Sequence, residues 1–91
     1  MEKFKATMDM LVGKEITVNG FNNVSVEVED ATLDGVVIDG VADGVEFEVM
    51  TFSRVIMEHL RNRPKAWFPF TTTVIEKTSS AGYKYYAFGR R

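Results

Sequence analysis

The chain has 91 residues, 45% of them hydrophobic and 26% charged, with no cysteine and one histidine. That length suits a single domain, in which folding hides about two-thirds of the unfolded chain's surface, and the composition is globular rather than disordered. The absence of cysteine excludes a disulfide framework, a thiolate nucleophile and a cysteine zinc site, and a lone histidine excludes histidine-rich metal clusters.

The net charge of −2 conceals a division: residues 1–50 hold three Lys against eleven Asp or Glu, net −8, and residues 51–91 hold eight Lys or Arg against two Glu, net +6. Most aromatic residues lie in the basic part as well. Two outcomes are open: the halves fold so that opposite charges become neighbours, or the basic part remains a separate surface. No apolar run approaches the roughly 20 residues of a membrane span, and charges interrupt the segment where a signal peptide's apolar region would lie. The expectation is a cytoplasmic protein without a membrane partner.

Residues 4–12 read either as a strand, with Phe4, Ala6, Met8, Met10 and Val12 alternating, or as a short helix with Phe4, Met8, Leu11 and Val12 on one face; period two fits slightly better. Residues 14–19 read as a strand, which makes Gly13 either a helix stop or a bulge in one bent strand. Asn19-Gly20 is a turn signal because both residues tolerate positive φ. In residues 24–29, Val24, Val26 and Val28 alternate with Ser25, Glu27 and Glu29, giving one apolar face and one acidic face. The β-branched run Val36, Val37 and Ile38 and the alternating Val45, Phe47 and Val49 supply two more strands, punctuated by Asp34-Gly35, Asp39-Gly40 and Asp43-Gly44.

From residue 51 to 62 the period becomes helical. Phe52, Val55, Ile56, His59 and Leu60 share a stripe, and Pro64 ends the helix. Residues 67–77 resume as a strand, with Pro69 implying an edge or bulge; residues 78–82 are a loop and residues 83–88 the partner strand. In that hairpin Trp67, Thr71, Thr73 and Ile75 face one way and Phe68, Phe70, Thr72 and Val74 the other, so aromatic rings stand on both faces. A hairpin with one face in a core should be polar on the other. Some of these rings are therefore either covered by the helix or exposed.

The expected class is mainly β: a small five- to six-stranded barrel with one helix before the C-terminal hairpin. The layout of residues 52–88, with an amphipathic helix, a basic junction (RNRPK), a long strand, a glycine-containing loop and an aromatic last strand, resembles the OB-fold of single-stranded-DNA-binding proteins. Another small β-barrel or an α+β sandwich gives the same order of elements. The resemblance implies a barrel that contacts nucleic acid on its second and third strands and its first and last loops. Glu27 and Glu29 would lie on the second of those strands and repel phosphate, which shifts the expected contact toward the later strands.

Enzymatic readings find little support. The three Asp-Gly pairs lack the spacing of a calcium loop and are sufficient as turns. His59, on the helical stripe or at its edge, lacks a positioned nucleophile and has only Glu58 nearby, which points off the stripe. Ser79 and Ser80 show no activation, the pairs Glu27/Glu29 and Glu46/Glu48 are alternating surface positions, and no phosphate-binding loop, dinucleotide fingerprint or zinc helix is present. No cofactor is expected.

The remaining candidates are Arg61, Arg63 and Lys65 at the junction, Trp67 and Phe68 immediately after it, and Lys77, Tyr83, Lys84 and Tyr85 on the hairpin, with Arg90 and Arg91 beyond. Cations at the junction suit the helix C-terminal dipole. Beside exposed rings they also suit phosphate contact and base stacking. The leading expectation is a non-enzymatic protein that binds single-stranded nucleic acid through this basic aromatic half, with the loops 19–23 and 78–82 contributing. The alternative is a protein-binding adaptor or inhibitor acting through its acidic strand face or aromatic hairpin, with edge pairing of the hairpin as a route to a homodimer.

Overall fold

The computed structural model describes residues 3–89. Six strands, β1 (Phe4–Ala6), β2 (Glu15–Val28), β3 (Ala31–Ala42), β4 (Val45–Thr51), β5 (Phe70–Thr78) and β6 (Lys84–Gly89), form one sheet in the order β1-β4-β3-β2-β5-β6. The sheet curls into a half-barrel. All neighbouring pairs are antiparallel except β1 with β4. A short helix α1 (Met8–Leu11) follows β1, and α2 (Arg54–Arg61) precedes the C-terminal hairpin. The expected class, mainly β with a helix before the last hairpin, is the one found. Among the described residues no helix is long and apolar enough to cross a membrane.

One core fills the concavity. Ile16 and Val18 of β2, Val36 and Ile38 of β3, Phe47 and Val49 of β4 and Val74 of β5 meet Ile56 and Leu60 of α2, all of them buried. Such side chains each contribute roughly 1.5–3 kcal/mol on leaving water. At Gly40 the sheet is tightly closed: a Cβ there would collide with the Thr17 carbonyl oxygen and the Phe47 ring. Glycine at this point lets the aromatic ring lie directly against the backbone.

The N-terminal segment divides between its two readings, with a strand to Ala6 and a single helical turn from Met8. Gly13 is not a bulge in a continuous strand; it turns the chain at φ 82 between α1 and β2. Asn19-Gly20 is not a turn. The pairing of β2 with β3 continues through it, with a register shift between Val18 and Gly20. A bulge adds one residue and exchanges the faces beyond it. Ile16 and Val18 face the core before it; Phe21 and Asn23 do so after it, and Val24, Val26 and Val28 turn to the opposite face. The alternation in residues 24–29 is therefore present, but its apolar side is only partly covered, with Val28 and its neighbour Leu33 exposed. Glu29 leaves the strand altogether and makes the tight turn to β3 at φ 55. Asp34-Gly35 and Asp39-Gly40 lie within β3, and of the Asp-Gly pairs only Asp43-Gly44 makes a turn, both residues at positive φ.

The helix is rotated from the expected stripe. Ile56, Met57 and Leu60 are buried, while Val55 and His59 are exposed and Phe52 precedes the helix. Ser53 sets this rotation. Its hydroxyl caps the helix by accepting from Ile56 N at 3.4 Å and donates to the Tyr86 carbonyl at 2.7 Å, tying the first turn to β6. Phe52 instead covers Gly35, where an added Cβ would meet its ring at 2.8 Å.

Candidate functional site

The last turn of α2 carries Arg61, and the chain then crosses Pro64 into a 3₁₀ turn, Lys65–Trp67, before β5 begins at Phe70. The strand thus starts later than the sequence indicates, because the helical turn and Pro69 hold residues 65–69 away from the ladder. Arg61, Arg63, Lys65, Trp67 and Phe68 converge at this junction. The bulged stretch of β2 meets them: Arg61 Nε donates to Asn23 Oδ1 at 3.0 Å, and the Phe21 and Phe68 rings lie 6.0 Å apart. Together, Asn19, Asn22, Asn23, Arg61, Arg63, Lys65 and Phe68 line an open groove of about 620 Å³. Segments 19–23 and 61–68 are thus brought together by the fold, with 19–23 as part of β2 and not as a loop.

Aromatic contacts continue beneath the groove. Phe68 meets Phe70 edge-on at 5.3 Å, and Phe70 meets Phe88 at 6.1 Å and His59 at 5.7 Å. Arg63 lies over this row, its guanidinium carbon 3.7 Å from the centre of Phe70 and 5.7 Å from that of Trp67. Desolvation first, and the nearby Arg63 charge second, lower the His59 pKa below the ordinary histidine value. The imidazole therefore packs here as a neutral ring. Rotation of α2 carries His59 off the buried stripe to the rim beside Phe88.

The strand faces explain where the other rings go. Register places Phe70, Thr72, Val74, Tyr86 and Phe88 on the core side, and Thr71, Thr73, Ile75, Lys77 and Tyr85 on the outer side. Tyr85 is the one aromatic residue of that outer set, so no stacking row runs along it. The most exposed rings lie outside the strands: Trp67 at 63% on the 3₁₀ turn and Tyr83 at 75% in the hairpin loop. Lys77, Tyr83, Lys84 and Tyr85 form a second group at the hairpin tip. Seven residues of extended chain, about 23 Å, separate Lys77 from Phe70. Lys84 Nζ is 3.8 Å from Glu76, and Tyr85 is half-buried over a hollow lined by Met8, Met50 and Phe52. The expected site therefore splits in two, and Arg90 and Arg91 lie outside the described residues.

Folding does not neutralise the charge division. Among the described residues the ion pairs are Lys3–Asp39 at 2.9 Å, Lys14–Asp43 at 3.2 Å and Lys84–Glu76 at 3.8 Å. Each joins residues from the same half of the chain. Arg61 donates to an amide and Arg63 lies over aromatic rings, and among the described residues none of Arg61, Arg63 and Lys65 forms an ion pair. Phe70 and Phe88 complete the site without having been singled out by sequence, since only the curl of β5 and β6 brings them to Arg63, beside His59 of α2. Among the described residues no group of three or more His, Asp or Glu side chains is placed to hold a metal ion.

A mainly β half-barrel bearing a cationic groove over aromatic rings is the class that fold and site define. No family model, curated protein or solved structure matches this chain.

Proposed function

We propose that the protein is a non-enzymatic binder of single-stranded nucleic acid and that the groove between β2 and the α2–β5 junction is its site. One observation carries this reading. Three cations that form no ion pair among the described residues line a groove beside a tryptophan that is 63% exposed. Cations draw in the phosphate backbone, and a ring such as Trp67 stacks on any base, at about 1–3 kcal/mol per base. Asn19 and Asn22 add amides that can meet base edges. Lys77, Tyr83, Lys84 and Tyr85 at the hairpin tip belong to a longer path of the same strand.

Trp67 is the only tryptophan, so its fluorescence reports directly. Titration with an oligothymidylate at low salt is expected to quench it, and the affinity should fall steeply as salt rises. Absence of quenching at low salt would remove this reading.

A second reading rests on the other face of the sheet. Val28, Leu33, Met50 and Phe52 are exposed there, beside the half-buried Val24 and Val26. Such an apolar strip suits a protein partner, a second copy included. Val26→Glu with Leu33→Glu should abolish any dimer seen by sedimentation; an unchanged sedimentation coefficient for a dimeric wild type would exclude this face as its interface.

A further inference from the structure

We infer that Arg63 is the seat of a single phosphodiester linking two nucleotides held in separate pockets on either side of it, an inference that rests on the nucleic-acid reading above. Arg63 also lines a second hollow of about 530 Å³, with His59, Phe70, Phe88, Thr71 and Thr72, and Glu15 on its wall. Both hollows fall within the range of small-ligand sites. Arg63 is the one residue that lines both.

The state of its guanidinium points to an anion. Nε of Arg63 is enclosed and has no hydrogen-bond partner among the described residues. Buried polar groups in folded proteins are nearly always paired, and an unpaired one calls for an explanation such as an absent ligand. Here the face of the guanidinium is taken by Phe70 at 3.7 Å, while its edge carries the donors. A stacked guanidinium of this kind offers its edge to two phosphate oxygens at once, which a lysine ammonium cannot reproduce. A phosphate that draws the side chain outward exchanges an unpaired donor for paired ones.

Charge sets the direction of the path. Glu27 and Asp34 lie on the same face of β2 and β3 as Asn23, further toward the hairpin turn. They repel phosphate at that end of the first groove. The second hollow has one carboxylate, Glu15, against these two, so the strand leaves across Arg63, with one base beside Asn22 and Phe68 and the next over Phe88 and His59.

The test compares single variants in titrations with an oligothymidylate, with circular dichroism confirming each fold. Arg63→Met is expected to weaken binding about tenfold more than Arg61→Gln or Lys65→Gln, and Arg63→Lys should fail to restore it. Equal losses for the three positions, or wild-type affinity in Arg63→Lys, would overturn the seat and leave nucleic-acid binding intact. A wild type that does not bind the oligothymidylate at low salt removes both. In a separate measurement on the wild type, the dinucleotide thymidylyl-thymidine should shift the NMR signals of both His59 and the Asn22 amide. Replacing its linkage by an uncharged methylphosphonate should weaken that binding about tenfold. Shifts confined to one pocket, or equal affinity for the uncharged linkage, would overturn the seat.

Discussion

Phe47→Ala is expected to lower the stability of the domain by about 3–5 kcal/mol. Phe47 is 2% exposed, and its ring lies against Gly40 on the neighbouring strand. Truncation removes the ring's transfer free energy and leaves a cavity as well. Collapse around that cavity is restricted because Gly40 has no side chain to move and the strand pairing holds its backbone at Phe47. Domains of this size are stable by about 5–15 kcal/mol in total, so the variant should be close to its unfolding midpoint under mild denaturant. Urea unfolding followed by circular dichroism measures the change. A loss below about 1 kcal/mol would mean that the sheet closes over the space, contrary to a core fixed by the β3–β4 register.

Joint replacement Arg61→Gln, Arg63→Met and Lys65→Gln is expected to weaken oligothymidylate binding about a hundredfold at about 50 mM salt while leaving the fold intact. For single strands each phosphate contact contributes about −0.7 to the slope of log affinity against log salt, so three contacts contribute about −2. Between about 50 and 200 mM salt that slope alone accounts for about a 20-fold loss in the wild type, which the variant should no longer show. The fold should persist because Arg61 and Lys65 are exposed and the side chain introduced by Arg63→Met would retain apolar contact with Phe70. Unchanged affinity and unchanged slope would assign the three cations to the C-terminal dipole of α2 alone.

The order of elements was legible because it depends on local signals. Period two marked β4, a helical period ended by Pro64 marked α2, and the glycine-containing segment between β5 and β6 marked the hairpin loop. Faces were less legible. Asn19-Gly20 carries the chemistry of a turn, yet β3 pairs with β2 on both sides of it, at Val18 and at Gly20, and keeps the chain extended through a bulge. That single extra residue decided that Val24, Val26 and Val28 turn away from the core. The rotation of α2 was likewise set from outside the helix, by the hydrogen bond from Ser53 to Tyr86, 33 residues away.

The sequence by itself determined the mainly β class, the helix before the last hairpin, and the separation of an acidic from a basic aromatic half. It also placed Arg61, Arg63, Lys65, Trp67 and Phe68 together, because a short junction forces proximity. Only the tertiary structure decided that the loop-like segment 19–23 meets this junction, that the hairpin-tip residues stand apart from it, and that the two halves form no ion pairs with each other among the described residues. The physical reason is that local propensity fixes backbone conformation over a few residues, whereas strand register and sheet curl fix which distant side chains share a surface.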